Sequence, residues 1–374
     1  MSILLTSPSA LKIGSTISDD LVSTLVHYSK RLPVHIVSNK DEPDWFSECF
    51  EGTKVTFVKA VGRQNGDVIK QAADYYQIDV QNVLVLSSSP EDVQMSKNGG
   101  AVMIMAGWSR DPKISKWGIK VDSPQDLSTI VDLAVEWSGD WWYTSPDGDY
   151  AIYALANLSG KGVDESQQRF AGDLTRLVKQ GGAQLNALLT VMARSCLSEF
   201  SSLDDQLWGV YPSSNSTNKD QEVLSEFVHR LRTTVSRKRL ASQGNPLFIR
   251  HSQSSKRSYG QGGSRIDPKE QIETLHINPF YRGKVSNKDV IVVDDCATYG
   301  LSFGVASAFL KAAGAKTVSC VALGKIGNCL KEYDITINSD PFLPVSARGY
   351  SYKRHWNCVG VSHGESNEFL RGFF

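Results

Sequence analysis

Residues 289–302, which read DVIVVDDCATYGLS, decide how this chain is expected to fold. The run 290–293 is apolar and β-branched, and its length suits a strand buried in a parallel sheet. Two aspartates follow where this strand is expected to end, and a short loop leads into apolar positions at helical spacing, up to Gly314. A second apolar run at 316–323 predicts another buried strand. The order strand, loop, helix, strand predicts a right-handed parallel βαβ unit.

The loop of this predicted unit combines groups that bind a sugar phosphate. Ligands of open parallel sheets bind beyond the carboxyl ends of the strands, and the N–H groups at the start of a helix favour phosphate. Thr298 and Ser302 add hydroxyl groups, and Gly300 lets the backbone approach a ligand. Asp294 and Asp295 can accept hydrogen bonds from a vicinal diol. We therefore expect the loop to bind a ribose 5-phosphate.

The same stretch resembles the motif by which type I phosphoribosyltransferases bind 5-phosphoribosyl 1-diphosphate (PRPP). In that motif four apolar residues, two aspartates and two variable residues precede Thr-Thr-Gly-x-Thr, and Tyr299 stands here for the second threonine. Among these enzymes, the layout is similar to the branch of the competence protein ComF and amidophosphoribosyltransferase. The resemblance implies that Asp294 and Asp295 are catalytic and hold Mg²⁺ together with PRPP. It also implies that the substrate's 5-phosphate contacts Thr298, Tyr299, Gly300, Leu301 and Ser302.

Further candidate residues lie upstream of this motif. Residues 206–211 predict the first strand of the domain, and the resemblance implies that the turn after it binds pyrophosphate through Ser213 and Ser214. A plain polar turn remains the alternative for these serines. The resemblance also places a mobile loop near Lys256 and Arg257, whose cations would act catalytically on the departing pyrophosphate.

Lys256 and Arg257 belong to a basic stretch, residues 230–269, that admits a second interpretation. Its only carboxylate is Asp267, so the stretch produces a local positive field in a chain of zero net charge. Dispersed cations of this kind also bind the backbone of nucleic acids. Nucleic acid therefore stays open as a partner, although we favour the loop interpretation.

The first part of the chain, up to about residue 135, alternates strand and helix signals, which predicts an α/β domain with a mostly parallel sheet. This part is similar to the haloacid-dehalogenase-like hydrolase fold at Ser38, at Lys70 and over residues 83–104. The family's nucleophilic aspartate is replaced by the run 4–8, LLTSP, and its last acidic pair is reduced to Asp92. Without clustered carboxylates there is neither a Mg²⁺ site nor a phosphoryl acceptor. The resemblance therefore implies an inactive domain that serves in binding, regulation or assembly.

Residues 136–202 predict a connector between two domains. Its first part is rich in aromatic residues without alternating basic residues, which favours an interface over stacking on nucleic-acid bases. Helical signals over 162–202 predict a helical linker. The expected fold class is thus α/β, with two domains, residues 1–135 and 203–374, each a mostly parallel sheet with helices on both faces.

The composition limits the function classes. A length of 374 residues suits two domains, and a formal net charge of zero gives no general attraction to nucleic acid or an anionic membrane. No apolar run reaches membrane-spanning length, and the first residues lack the features of a signal peptide. The six cysteines form no CxxC pair, which predicts reduced thiols in a cytoplasmic protein, and Cys296 is expected to be a small packing residue.

The sequence therefore predicts Mg²⁺-dependent transfer of the phosphoribosyl group of PRPP to an unidentified acceptor, with release of pyrophosphate. The alternative is a non-catalytic module that senses a nucleotide or acts as an effector. Either protein is compatible with a homo-oligomer or a larger complex.

Overall fold

The fold is known from a computed structural model, which describes residues 1–112, 114–146, 148–200, 206–235, 244–255, 264–358 and 360–374. The chain forms two compact units. The first unit comprises Met1–Gly139, Asn186–Asp204 and Arg230–Arg237, and the second comprises Asp140–Leu185, Asp205–His229 and Lys238–Phe374. Among the described residues, every helix is too short or too polar to cross a membrane.

Strands and helices alternate through much of the described chain. The strands, in chain order, are β1 (Ile3–Thr6), β2 (Lys12–Ile13), β3 (Thr16–Ile17), β4 (Val34–Ser38), β5 (Val55–Lys59), β6 (Val83–Ser87), β7 (Val102–Ala106), β8 (Ile119–Val121), β9 (Tyr143–Ser145), β10 (Ala151–Asn157), β11 (Leu207–Val210), β12 (Phe248–Arg250), β13 (Leu275–Ile277), β14 (Asp289–Ala297), β15 (Thr317–Lys325), β16 (Leu330–Ile337), β17 (Tyr350–Cys358) and β18 (Val361–Ser362). The helices are α1 (Asp19–Tyr28), α2 (Trp45–Phe50), α3 (Asp67–Tyr76), α4 (Pro90–Gly99), α5 (Pro124–Glu136), α6 (Glu165–Gln180), α7 (Leu185–Glu199), α8 (Val223–Val235), α9 (Lys269–Glu273), α10 (Leu301–Ala312) and α11 (Gly364–Phe373).

The first unit is built on a parallel sheet with strand order β5-β4-β1-β6-β7-β8. Its central strands β1, β6 and β7 are buried along their whole length, as expected for continuous apolar runs in a parallel sheet. Helix α4 begins with a capping box, in which the Ser89 hydroxyl accepts from the N–H of Asp92 and Pro90 holds the first helical position. The predicted α/β domain with a parallel sheet is confirmed.

The second unit is built on a sheet with strand order β11-β14-β15-β10-β9-β18. The neighbours β11, β14, β15 and β10 are parallel, whereas β9 and β18 pair in antiparallel fashion. Helix α10 packs its buried residues against this sheet and against β16, within one large apolar core. A mostly parallel second sheet is therefore confirmed, and with it the fold class of two α/β units.

Strand β14 is longer than the sequence predicted. It continues past Val293 through Ala297, because β15 is equally long and pairs with it up to Lys325. Asp294 and Asp295 therefore lie within the strand rather than in the loop after it. Successive side chains of a strand point to opposite faces, so the two carboxylates approach the end of the strand from different sides.

The predicted connector, residues 136–202, is divided between the two units. Strands β9 and β10 form a hairpin that joins the second sheet, where β10 pairs with β15 from Ala151 to Asn157. Helix α6 belongs to the second unit, and nearly all of α7 to the first. The aromatic residues of this segment are core residues: Trp137, Trp141, Trp142, Tyr143 and Tyr150 are buried, so they are not available to stack on bases.

Candidate functional site

The segments that follow the parallel strands of the second sheet lie along one edge of that sheet. The N–H of Tyr211, just after β11, donates to the carbonyl of Val293 at 2.9 Å, and the N–H of Ile326, just after β15, donates to the carbonyl of Ala297 at 2.8 Å. Ligands of parallel sheets bind at this kind of edge. We call it the carboxyl edge, and it comprises residues 157–159, 211–214, 294–302 and 325–329.

The acidic pair sits in the middle of the carboxyl edge. Asp294 is buried, with 9% of its surface exposed, and Asp295 is half-buried. The Oδ1 of Asp294 accepts a hydrogen bond from the N–H of Asp295 at 2.8 Å, which fixes the orientation of this carboxyl group. One carboxylate is therefore held in place while the other stays partly accessible to a ligand.

Helix α10 begins at Leu301, after the short loop that follows the pair, and its N-cap is Gly300, which has no side-chain oxygen to accept hydrogen bonds from the N–H groups of the first turn. The N–H groups at the start of a helix and the positive end of the helix dipole favour an anion there. Thr298 and Tyr299 are half-buried, whereas Leu301 and Ser302 are buried. Leu301 therefore offers a ligand only its backbone.

A neighbouring strand fixes the conformation of this loop. Gly300 has a φ of 76°, and a Cβ on it would lie 3.0 Å from Cδ1 of Leu330 and 3.3 Å from the carbonyl oxygen of Lys331. The N–H of Lys331 donates to the carbonyl of Tyr299 at 3.1 Å. Positive φ and a close neighbour both require glycine at position 300. The motif's glycine thus has a specific structural role in this chain.

The turn with Ser213 and Ser214 belongs to the same edge, because it follows β11, the neighbour of β14. Ser213 is exposed and Ser214 is half-buried. The Ser213 hydroxyl donates to Glu222 at 3.3 Å, and the Ser214 carbonyl accepts from the N–H of Ser254 at 3.2 Å. The sheet therefore brings the two predicted binding segments together.

Lys325, at the end of β15, is a cation of the carboxyl edge that sequence reasoning missed. It is fully buried, and its Nζ donates to the carbonyl oxygens of Gly327 and Cys329 and lies 4.7 Å from the ring centre of Tyr143. It forms no ion pair with any carboxylate of the described residues. Burial lowers the pKa of Lys325 to about 8. Its signal in the sequence is a lysine two residues after the predicted apolar run 316–323.

The thiol of Cys296, next to the acidic pair, is unreactive. Burial first, and then the charges of Asp295 and Asp294, raise the pKa of its thiol to about 12. The thiol therefore stays protonated near neutral pH, which disfavours a nucleophilic role. Its Sγ lies 3.7 Å from the carbonyl oxygen of Ala297, as suits the packing role expected from the sequence.

The predicted catalytic residues Lys256 and Arg257 lie outside the described residues, and so do Arg237, Lys238 and Arg239 of the basic stretch. Two other cations of that stretch, Arg232 and Arg250, are buried, each with 4% of its surface exposed. Buried guanidinium groups do not contact a nucleic-acid backbone. The positive field available at the surface is therefore smaller than the sequence alone suggested.

A resident metal site is not formed by the described residues, since they contain no cluster of three or more histidine, cysteine or acidic side chains. Mg²⁺ commonly binds through one or two carboxylates together with substrate phosphates and water. Asp294 and Asp295 fit that second case, in which the ion arrives with a phosphorylated ligand. Asp294 and Asp295 are thus suited to bind Mg²⁺ only when a phosphorylated ligand also coordinates the ion.

The first unit has a polar cluster of its own around Asp92, which is fully buried. Its carboxylate pairs with Arg63 and accepts from the Ser7 hydroxyl at 2.8 Å and from the N–H groups of Ser88 and Ser89 at 2.9 and 3.1 Å. Arg63 points inward, with 7% of its surface exposed. The predicted helical lysine, Lys70, instead pairs with Asp67 at 3.8 Å. A carboxylate with so many donors is a structural anion rather than a nucleophile.

Comparisons with known proteins add little to this geometry. No protein-family model matches the chain, and no curated protein matches it. It is similar to the cobalt-bound structure of the deoxy-D-mannose-octulosonate 8-phosphate phosphatase YrbI from Haemophilus influenzae, with 9% identity, a TM-score of 0.29, and coverage of 37% of this chain and 91% of the other. A similarity at this TM-score is weak.

Proposed function

We propose that the second unit binds PRPP with Mg²⁺ and transfers its phosphoribosyl group to an acceptor. One observation carries this proposal: the pairing of Tyr211 with Val293 sets a polar turn, an acidic pair and an uncapped helix N-terminus next to each other on one edge. A ligand with an anionic group at each end and a diol between them matches this order. PRPP has that arrangement.

Each segment has a distinct task in this proposal. Asp294 and Asp295 accept hydrogen bonds from the ribose hydroxyls, and the N–H groups at the start of α10 hold the 5-phosphate. The turn at Ser213 and Ser214 holds the pyrophosphate group. Mg²⁺ bound with the substrate would neutralise charge on the departing pyrophosphate. Lys256 and Arg257 remain proposed catalytic cations.

The proposed reaction is a displacement at the anomeric carbon. A nucleophilic atom of the acceptor bonds to that carbon while its bond to the pyrophosphate oxygen breaks, and the electron pair leaves with pyrophosphate. Positive charge develops on the ribose ring, and the two carboxylates next to it stabilise this charge. The rest of the catalysis is positioning, because no covalent protein intermediate is needed.

A second candidate function is binding without turnover, in a nucleotide-sensing or effector module. The observation that favours it is the constraint on the loop, where the Tyr299 carbonyl accepts from the N–H of Lys331 and Leu330 packs against Gly300. A loop fixed in this way suits a permanent binding site as well as a catalytic one. The proposed inactivity of the first unit agrees with an accessory role.

Pyrophosphate release separates the two candidates. The intact protein is incubated with PRPP and Mg²⁺, alone and with single nucleobases or small amines, and pyrophosphate is measured by a coupled assay. We expect acceptor-dependent release that disappears in Asp294→Asn/Asp295→Asn and persists in Asp289→Asn, a matched change at the opposite end of the same strand. PRPP binding without release under every condition would favour the second candidate.

A further inference from the structure

Arg250 is a buried cation that neither the motif nor the proposed reaction accounts for. It ends β12, has 4% of its surface exposed, and forms no ion pair with any carboxylate of the described residues. All four hydrogen bonds of its guanidinium group go to neutral oxygens. Burying an uncompensated charge is costly, so the presence of a cation at this position requires a reason.

Two of the four acceptors belong to the turn after β11. Nε of Arg250 donates to the Ser213 carbonyl at 2.7 Å, and Nη2 donates to the Pro212 carbonyl at 3.2 Å. The other two are the side chains of Thr274, at 2.8 Å from Nη1, and Gln271, at 3.1 Å from Nη2. Arg250 therefore links the polar turn to helix α9 and to its C-cap residue, Thr274.

These contacts determine which way the turn presents its N–H groups. In a trans peptide the C=O and the following N–H point in opposite directions. Because the carbonyls of Pro212 and Ser213 point at Arg250, the N–H groups of Ser213 and Ser214 point away from it. No residue that the structure describes accepts a hydrogen bond from either N–H group. Successive N–H groups of a turn are donors that bind anions in other proteins.

Unused donors surround the same turn. The Nε2 of Gln271 and the hydroxyl of Ser254 are buried without hydrogen-bond partners among the described residues, although Ser254 is joined to the turn through its N–H bond to the Ser214 carbonyl. Gln271 is 1% exposed and Ser254 is 6% exposed. An uncompensated guanidinium, two free N–H groups and two unused donors together form a surrounding that suits an anion.

We propose that Arg250 is a positioning residue that turns the N–H groups of Ser213 and Ser214 toward a second anionic group of the ligand and supplies its counter-charge. This inference rests on the proposed function and adds the role of Arg250 in binding its ligand. A ribose 5-phosphate with one phosphate group occupies only the start of α10. A ribose 5-phosphate that also carries a phosphate or diphosphate at the anomeric carbon occupies both places.

The wild-type protein tests this proposal without any substitution. Ribose 5-phosphate and inorganic pyrophosphate, both with Mg²⁺, are titrated singly and together by calorimetry. We expect both to bind at the same time, so that saturating ribose 5-phosphate changes the affinity for pyrophosphate by less than threefold. Displacement of one by the other, or failure of pyrophosphate to bind a protein that binds ribose 5-phosphate, overturns the inference. Failure of ribose 5-phosphate and PRPP alike to bind overturns the proposed function instead.

Variants then assign the effect to Arg250. We expect Arg250→Met to lower the affinity for PRPP at least tenfold while the affinity for ribose 5-phosphate, an internal check that the variant is folded, stays within twofold. Arg250→Lys restores charge without the two-carbonyl contact and should recover only part of the loss. The exposed Arg282, which pairs with Asp340 at 2.7 Å, provides the control Arg282→Met, expected to bind both ligands normally. Equal loss of both ligands in a folded Arg250→Met protein contradicts the positioning role.

Discussion

Nζ of Lys325 donates a hydrogen bond to the carbonyl oxygen of Cys329 at 3.0 Å and a second one to that of Gly327. A single buried cation thereby holds the turn between β15 and β16, which forms one wall of the carboxyl edge. Its only hydrogen-bond partners among the described residues are these neutral carbonyls. Burial of its charge therefore lowers the free energy of unfolding by an amount that depends on pH.

The pH dependence of stability should reveal this charge. Burial lowers the pKa of Lys325 from 10.5 to about 8, so between these values the unfolded chain binds more protons than the folded one. The free energy of unfolding contributed by Lys325 therefore rises with pH across that window, by at most about 3 kcal/mol, and the full cost is present below it. Urea unfolding from pH 7 to pH 10 should show this rise relative to Lys325→Met. In the control Lys316→Met, at an exposed lysine, the free energy of unfolding should change with pH as it does in the wild type. If Lys325→Met also shows the pH dependence of the wild type, the prediction is wrong.

Substitution of Gly300 should harm both the fold and the site. An alanine there adopts a left-handed conformation at a cost of about 1–2 kcal/mol, and its Cβ meets Leu330 and the Lys331 carbonyl, which adds about 1–3 kcal/mol. The matched control is Gly283→Ala, since Gly283 has a φ of 74° and no atom of the described residues lies within 4 Å of the added Cβ. Denaturant unfolding should give a larger loss for Gly300→Ala, and this variant alone should bind PRPP more weakly. Equal losses would show that the contact with β16 is unimportant.

The ion pair of Arg63 with Asp92 should be essential to the first unit. Asp92→Asn leaves a buried guanidinium without its counter-charge, so we expect the free energy of unfolding to fall by about 3–5 kcal/mol. Asp41→Asn removes the carboxylate of an exposed pair with Lys59 and should cost less than about 1 kcal/mol. Chemical unfolding of the two variants makes the comparison. A similar small effect in both would mean that the serine hydroxyls and N–H groups, rather than Arg63, stabilise Asp92.

The elements that sequence could predict are those whose signals are local. The apolar run before Asp294, the glycine at position 300 and the helical spacing after it define β14, the loop and α10 within one short segment. The length of β14 was missed because it depends on its partner β15, which pairs with it as far as Lys325. A local run of apolar residues predicts that a strand is present. Where the strand ends depends on pairing with another strand, which lies elsewhere in the sequence.

Pairings between segments far apart in the sequence could not be predicted either. Strand β10 was assigned to a connector, yet Ala151 pairs with Ser319 in the second sheet, more than a hundred residues away. The buried roles of Arg63 and Arg250 were hidden for the same reason, since their partners lie in other elements. The sequence around each arginine is typical of a surface cation, and only the structure shows that the side chain is buried.

Calorimetric titration of PRPP with Mg²⁺ into the intact protein tests the central claim most directly. The wild-type protein and Asp289→Asn should bind one PRPP per chain with affinities within twofold of each other, whereas Asp294→Asn/Asp295→Asn should show no binding. Asp289 is the right control because it lies on β14 at the far end from the carboxyl edge and carries the same charge. Wild-type binding that survives in the double variant, or no binding in the wild type, would contradict the account.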